Sequence, residues 1–197
     1  MNIIPGGNKV KNIFVAFSIT IFILVVAVLV FFGYLGAFSK VTVKEEIVGP
    51  YKLAYEDHEG SYSLSGQNLD RIYNSLRTEY KLEVTKSFGI YYDNPQKTSA
   101  AECRSKLGCI IDEKDYGKID ALKGMYKIMD YKKVKSMTVT FPFKSIVSIY
   151  VGMAKAYPAI AVYASDNNYE FTESMEIYDM ASKNIVYVMN IRPKKIQ

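Results

Sequence analysis

The chain has 197 residues with 25 Lys and Arg against 20 Asp and Glu, a formal charge of +5, and 17 tyrosines but no tryptophan. Three of the basic residues and none of the acids fall in the first 40 positions, so the remainder carries a net charge of only +2; with no clustered basic run between Thr42 and Ile191, it has no electrostatic footprint for nucleic acid. One histidine, His58, and two cysteines six apart, Cys103 and Cys109, cannot supply a four-ligand zinc site or a CxxC redox pair, so no metal or cofactor is expected and both thiols are read as reduced.

Residues 1–12 are a short leading segment. From Asn12 to Ser39 the chain runs 28 residues without a charge, and Ile13 to Phe32 is apolar except for Ser18 and Thr20. A hydrocarbon core about 30 Å thick needs roughly 20 apolar residues in a helix that satisfies its own backbone, so 13–38 is predicted to be a single transmembrane helix. The run is longer than the apolar part of a signal peptide, and it is apolar around its whole circumference, as a buried core helix rarely is. Lys9 and Lys11 before it are balanced by Lys40, Lys44 and Lys52 after it, so the flanks leave the orientation open.

The part beyond Lys40 reads as one mixed, strand-rich domain. Lys52 to His58 alternates as a strand, Glu59-Gly60-Ser61 turns the chain, and Leu69, Ile72, Tyr73, Leu76 and Tyr80 recur at helical spacing, predicting a helix over 66–81 with Ser65 as its N-cap. Ser87 to Tyr92 and Lys106 to Asp112 read as strands separated by a loop at Asp93-Asn94-Pro95. After a turn-rich stretch, Met125 to Tyr131 and Lys135 to Phe141 read as strands, with Ser148 to Val151 continuing the second beyond Pro142. Lys155 to Ser165 reads as a helix with Pro158 near its first turn, and Glu173 to Asp179 with Asn184 to Ile191 as a terminal hairpin. The expected fold is α+β: a β-α-β-β unit repeated twice, joined into one antiparallel sheet with helices on one face and preceded by the membrane helix.

Several segments together, Lys52 to Tyr62, Ile90-Tyr-Tyr-Asp-Asn-Pro95 with Cys103 and Gly108 following, Met137 to Pro142, Ala156-Tyr-Pro-Ala159 and Met175-Glu-Ile-Tyr178, resemble the GyrI-like small-molecule-binding domain. Within it they are most similar to the membrane-anchored testis-expressed reticulophagy receptor family, and the resemblance covers a domain at 42–192, with 193–197 a basic tail. It implies two pseudo-symmetric halves enclosing a cleft whose glutamate and aromatics contact planar or cationic ligands. On this sequence the glutamate is Glu176 and its companion Tyr178. Strand alternation puts Glu176 and Tyr178 on one face and Met175 and Ile177 on the other, and the polar pair is expected to point away from the helices. Tyr55, Tyr91, Tyr92 and Tyr150 also fall on predicted strands where they could line the cleft, and Tyr55, Tyr92 and Tyr150 are the further site candidates.

The functional expectation is a single-pass, membrane-anchored domain that binds a small planar or cationic ligand, or a partner protein, at a bilayer surface. The resemblance implies two alternatives: an adaptor or receptor on the endoplasmic reticulum membrane, and a hydrolase of reactive small molecules using Glu176 with Tyr178 or Tyr92 as acid and base. No nucleophile–base pair or phosphate-cradling glycine loop supports a commoner enzyme class. The reticulophagy branch carries an acidic tail with an autophagy-binding motif beyond the domain, whereas this sequence stops at Gln197. Lys194-Lys195-Ile196-Gln197 matches the dilysine pattern for retrieval to the endoplasmic reticulum, which predicts a cytosolic domain there; a bacterial inner-membrane protein with a periplasmic domain is the other expectation.

Overall fold

The computed structural model describes residues 7–170 and 172–194. Contacts divide the chain into two compact units, residues 1–39 and residues 40–197. The first contains helix α1 (Gly7–Tyr34), uncharged beyond Lys11 and exposed from residue 11 to residue 34. Its stretch Lys11–Tyr34 is long and apolar enough to cross a membrane. The Thr20 hydroxyl donates to the Ala16 carbonyl at 3.0 Å, so this side chain is satisfied within the helix.

The second unit is an eight-stranded antiparallel sheet with two long helices on one face. In chain order it comprises β1 (Lys44–Val48), β2 (Tyr51–Glu59), α2 (Ser65–Thr78), β3 (Lys86–Tyr91), β4 (Arg104–Ile111), the short α3 (Ile119–Leu122), β5 (Lys127–Tyr131), β6 (Val134–Pro142), α4 (Ile146–Asp166), β7 (Ser174–Asp179) and β8 (Asn184–Asn190). The strands lie in the order β1-β6-β8-β7-β3-β4-β2-β5. The repeated unit is therefore present: β2-α2-β3-β4 and β6-α4-β7-β8 have the same internal order, and the halves join where β3 pairs β7.

Two tight links curl this sheet. β1 and β2 stand near opposite ends of the strand order yet only residues 49 and 50 separate them, and residues 132 and 133 do the same for β5 and β6. Gly49 makes the first link possible: its φ is +89°, and a Cβ there would lie 2.9 Å from the Lys132 carbonyl oxygen. Tyr131 on edge strand β5 donates to Asn190 Oδ1 at the end of β8 at 3.0 Å, across the mouth of the curl. The concave face is apolar, with Leu53, Phe88, Ile90, Ile110, Met175, Ile177 and Val188. The convex face meets Leu69, Ile72 and Leu76 of α2 and Ala156, Ile160 and Ala164 of α4, which cover Leu107, Val139, Phe141 and Ile185.

Four sequence expectations need correction. α2 ends at Thr78 rather than 81, and Ser65 is its first residue, not its cap. Residues 148–151 are not a strand: α4 begins at Ile146, where the Ser148 hydroxyl accepts from the backbone N–H groups of Lys144 and Ser145, each at 3.1 Å. Pro158 consequently lies in mid-helix, on the exposed side. β1 was not foreseen. Lastly, Glu176 and Tyr178 face the helices, not away from them.

Candidate functional site

Glu176 sits in the middle of β7, opposite Gly89 of β3 and Tyr187 of β8. β7 is a central strand, so a side chain on its convex face lies beneath α4, and Glu176 is only 2% exposed. Tyr157, from the inner face of α4, donates to its Oε1 at 2.6 Å, and Tyr178, two residues along the same strand, donates to Oε2. Among the described residues no lysine, arginine or histidine bonds to it. Burial raises the pKa of its carboxyl above the ordinary carboxylate value; the Tyr157 and Tyr178 hydroxyls oppose that shift without cancelling it.

Further polar aromatics surround this carboxyl. The Tyr187 ring meets that of Tyr157 edge to face at 5.7 Å, and its hydroxyl donates to the Ile149 carbonyl of α4 at 2.8 Å. This arrangement needs Gly152 on α4, because a Cβ there would collide with the Tyr187 hydroxyl and come within 3.0 Å of the Phe141 ring. Tyr91, at the end of β3, is half-buried beside Tyr178 and Glu176, and desolvation raises the proton affinity of all four tyrosines. Ser105, the register partner of Tyr91, has a buried hydroxyl with no hydrogen-bond partner among the described residues. A carboxyl without a cation among the described residues and tyrosines that can donate or accept thus share one desolvated cluster, with the Ser105 hydroxyl opposite Tyr91 on β4. Such a cluster suits recognition of a cation or a hydrogen-bonding ligand if α4 shifts, since Tyr157 seals it from outside.

The five residues expected to form one site fall in three places. Glu176 and Tyr178 meet on the convex face. Tyr92 lines a concave-face cavity of about 130 Å³ with Ile90, Met129, Tyr131, Glu173 and Met175, and Tyr55 lies near it, since the Lys106 ammonium stands over the rings of Tyr55 and Tyr92 at 4.9 and 5.6 Å. A second concave cavity of about 180 Å³ is walled by Val48, Tyr51, Ile177, Val186 and Val188. Glu176 borders neither. Tyr150 is on α4, not a strand, and is 62% exposed on its outer surface. Tyr157, which the sequence does not single out, completes the cluster.

The thiols add no chemistry here. Cys103 and Cys109 are both free and buried, and burial pushes the Cys109 thiol up to about 12, far from the thiolate that reacts. His58 is the penultimate residue of β2 and its ring nitrogens contact Asn68 and the Ser61 carbonyl. Among the described residues no group of three or more His, Cys, Asp or Glu side chains could hold a metal. Lys194 is exposed at the end of the described residues, and Lys195 lies outside them.

Residues 42–191 match the family model of the GyrI-like small molecule binding domain. The human testis-expressed protein 264 is 27% identical over 164 residues, which cover 79% of this chain and 50% of that protein. The chain spans about half the length of the curated relatives it matches. Among solved structures, the C-terminal domain of EcmrR superposes with a TM-score of 0.54 at 9% identity, covering 78% of this chain and 99% of that one. SAV2435 bound to tetraphenylphosphonium gives a TM-score of 0.50 at 11% identity, covering 78% and 94%. At these identities the two structures share the fold.

Proposed function

The chain belongs to the family of GyrI-like small-molecule-binding domains, and on that premise we propose that it is a membrane-anchored ligand-binding domain in which Glu176 receives a lipophilic cation and Tyr157 and Tyr178 frame it. The observation that carries this reading is the buried Glu176 carboxyl held by tyrosine hydroxyls alone. A charge in that position costs stability that packing does not recover, and a ligand cation would supply the missing partner. The fold relative SAV2435, bound to tetraphenylphosphonium, makes that cation a suitable probe. Tyr157 belongs to α4, so entry of a ligand requires the helix to yield at that point.

The test is titration calorimetry of tetraphenylphosphonium into the full chain in a non-ionic detergent. The carboxylate is the binding form and its proton affinity is raised, so affinity should weaken as pH falls through its titration. Glu176→Gln removes a charge-assisted contact of about 1.5 to 3 kcal/mol, roughly a 10- to 150-fold loss. Tyr178→Phe keeps the ring and should lose less. Equal affinity for wild type and Glu176→Gln would overturn the reading. Turnover of a reactive ligand, abolished by Glu176→Gln, would replace it with a hydrolase, in which Tyr178 and not Tyr92 is the neighbour able to assist.

A second reading concerns place. The segments that resemble the membrane-anchored reticulophagy receptor family favour the endoplasmic reticulum membrane with the domain in the cytosol, where it serves as a receptor or adaptor for other proteins. Protease protection of intact microsomes tests it: a digested domain agrees, and a protected domain reverses the orientation.

A further inference from the structure

The two long helices of the sheet's convex layer present different outer surfaces. On α2 the exposed residues include Gln67, Asp70, Arg71, Asn74 and Arg77, a polar face as expected of a helix bordering water. On α4 the buried ridge is Ser148, Gly152, Ala156, Ile160 and Ala164, each four residues from the next. The opposite ridge repeats the same interval, with Ile146, Tyr150, Ala154, Pro158 and Val162 all exposed. Ile146 is 69%, Tyr150 62% and Val162 62% accessible, and the 21-residue helix carries only two charges, Lys155 and Asp166. An apolar ridge running about 24 Å along a helix is larger than the scattered apolar residues of an ordinary water-facing surface.

We propose that the outer face of α4 docks on a lipid bilayer, with Ile146, Tyr150 and Val162 in the boundary between headgroups and acyl chains. The chain itself supplies the occupant. α1 ends at Tyr34 and β1 begins at Lys44, so nine residues, at most about 30 Å of extended chain, tether the domain to whatever membrane α1 enters. A helix face of aliphatic residues with one interfacial tyrosine and a single basic side chain suits that depth. The inference rests on reading α1 as the membrane anchor. It also bears on the binding site, because the same helix carries Tyr157 on its inner side: a docked α4 would couple lipid contact to closure over Glu176.

The absence of tryptophan makes the test direct, since each introduced tryptophan is the only one. The full chain is reconstituted into phosphatidylcholine nanodiscs with or without brominated acyl chains, carrying Val26→Trp in α1, Tyr150→Trp or Val162→Trp in α4, or Asn74→Trp in α2. The inference expects blue-shifted emission from both α4 variants, losing roughly half its intensity in brominated discs as befits a side chain 5–10 Å deep, and no change for Asn74→Trp. Unquenched α4 variants overturn it: red emission would mean water, and blue emission without quenching would mean a second copy or another protein surface. Quenching of Asn74→Trp equal to that of the α4 variants would mean indiscriminate adsorption and would also overturn it. If Val26→Trp is quenched and the α4 variants are not, only this inference fails; if none is quenched, the anchor reading fails with it.

Discussion

Replacing Glu176 by glutamine tests how the buried carboxyl is tolerated. The amide has nearly the same shape, can accept from one of the two tyrosines and donate to the other, and removes the ionisable group from a position 2% exposed and without a cationic partner. A carboxyl whose pKa is raised on folding contributes stability below the ordinary carboxylate range and loses it as pH rises through the raised pKa. Wild type should therefore become less stable from acid toward mildly alkaline pH through this residue, whereas Glu176→Gln should not. The expected gain is about 1 to 3 kcal/mol at the alkaline end, the cost of a poorly compensated buried polar group, and it should shrink toward zero in acid. For a domain of this size that is a rise in Tm of about 2 to 12 °C. The assay is thermal unfolding of the full chain in detergent, followed by circular dichroism across that pH range. A variant less stable than wild type at every pH would refute the reasoning and make Glu176 a structural residue, fully paid for by its tyrosines.

Other consequences follow from the same packing. Tyr157→Phe removes the 2.6 Å bond to Glu176 and should cost about 1.5 to 3 kcal/mol, more at alkaline than at acid pH because the hydroxyl serves the ionised carboxyl; chemical denaturation at two pH values measures it. Gly152→Val should destabilise by at least about 1 to 3 kcal/mol, since its side chain must displace the Tyr187 hydroxyl and the Phe141 ring, and a Tyr187→Phe background should recover part of the loss in the same assay. Carbonate extraction of membranes should leave the full chain in the pellet, while a chain beginning at Thr42 should be released; release of the full chain would contradict the anchor.

Much of the fold is legible in the sequence because period-two alternation is strong in the central strands. Ser87 to Tyr92, Lys135 to Phe141 and the terminal hairpin all appear within a residue or two of expectation. β1 escapes notice because Lys44-Glu-Glu-Ile-Val48 is an edge strand with three exposed positions, so charge hides its pairing. The start of α4 reads as a strand because Ile149, Tyr150 and Val151 are β-branched or aromatic, and its buried ridge of Ser148, Gly152 and Ala156 contributes no large apolar signal at helical spacing. At the site, alternation correctly pairs Glu176 with Tyr178 on one face. Which face the helices cover depends on the curl of the whole sheet, set by the links at residues 49–50 and 132–133, and no local pattern encodes that. Tyr157 lies in the Ala156-Tyr-Pro-Ala159 segment, but its approach to Glu176 follows only once α4 is known to run through it.

Both faces of the sheet offer carboxylates, among them Glu176 beneath α4 and Glu173 in the concave cavity with Tyr92 and Tyr131. Titrating tetraphenylphosphonium into the full chain carrying Glu176→Gln and, separately, Glu173→Gln tests directly which face binds. Ligand recognition by the tyrosine-held carboxyl requires a loss of about 10-fold or more for Glu176→Gln and near wild-type affinity for Glu173→Gln; the reverse pattern would move the site to the concave face and contradict the role assigned to Glu176.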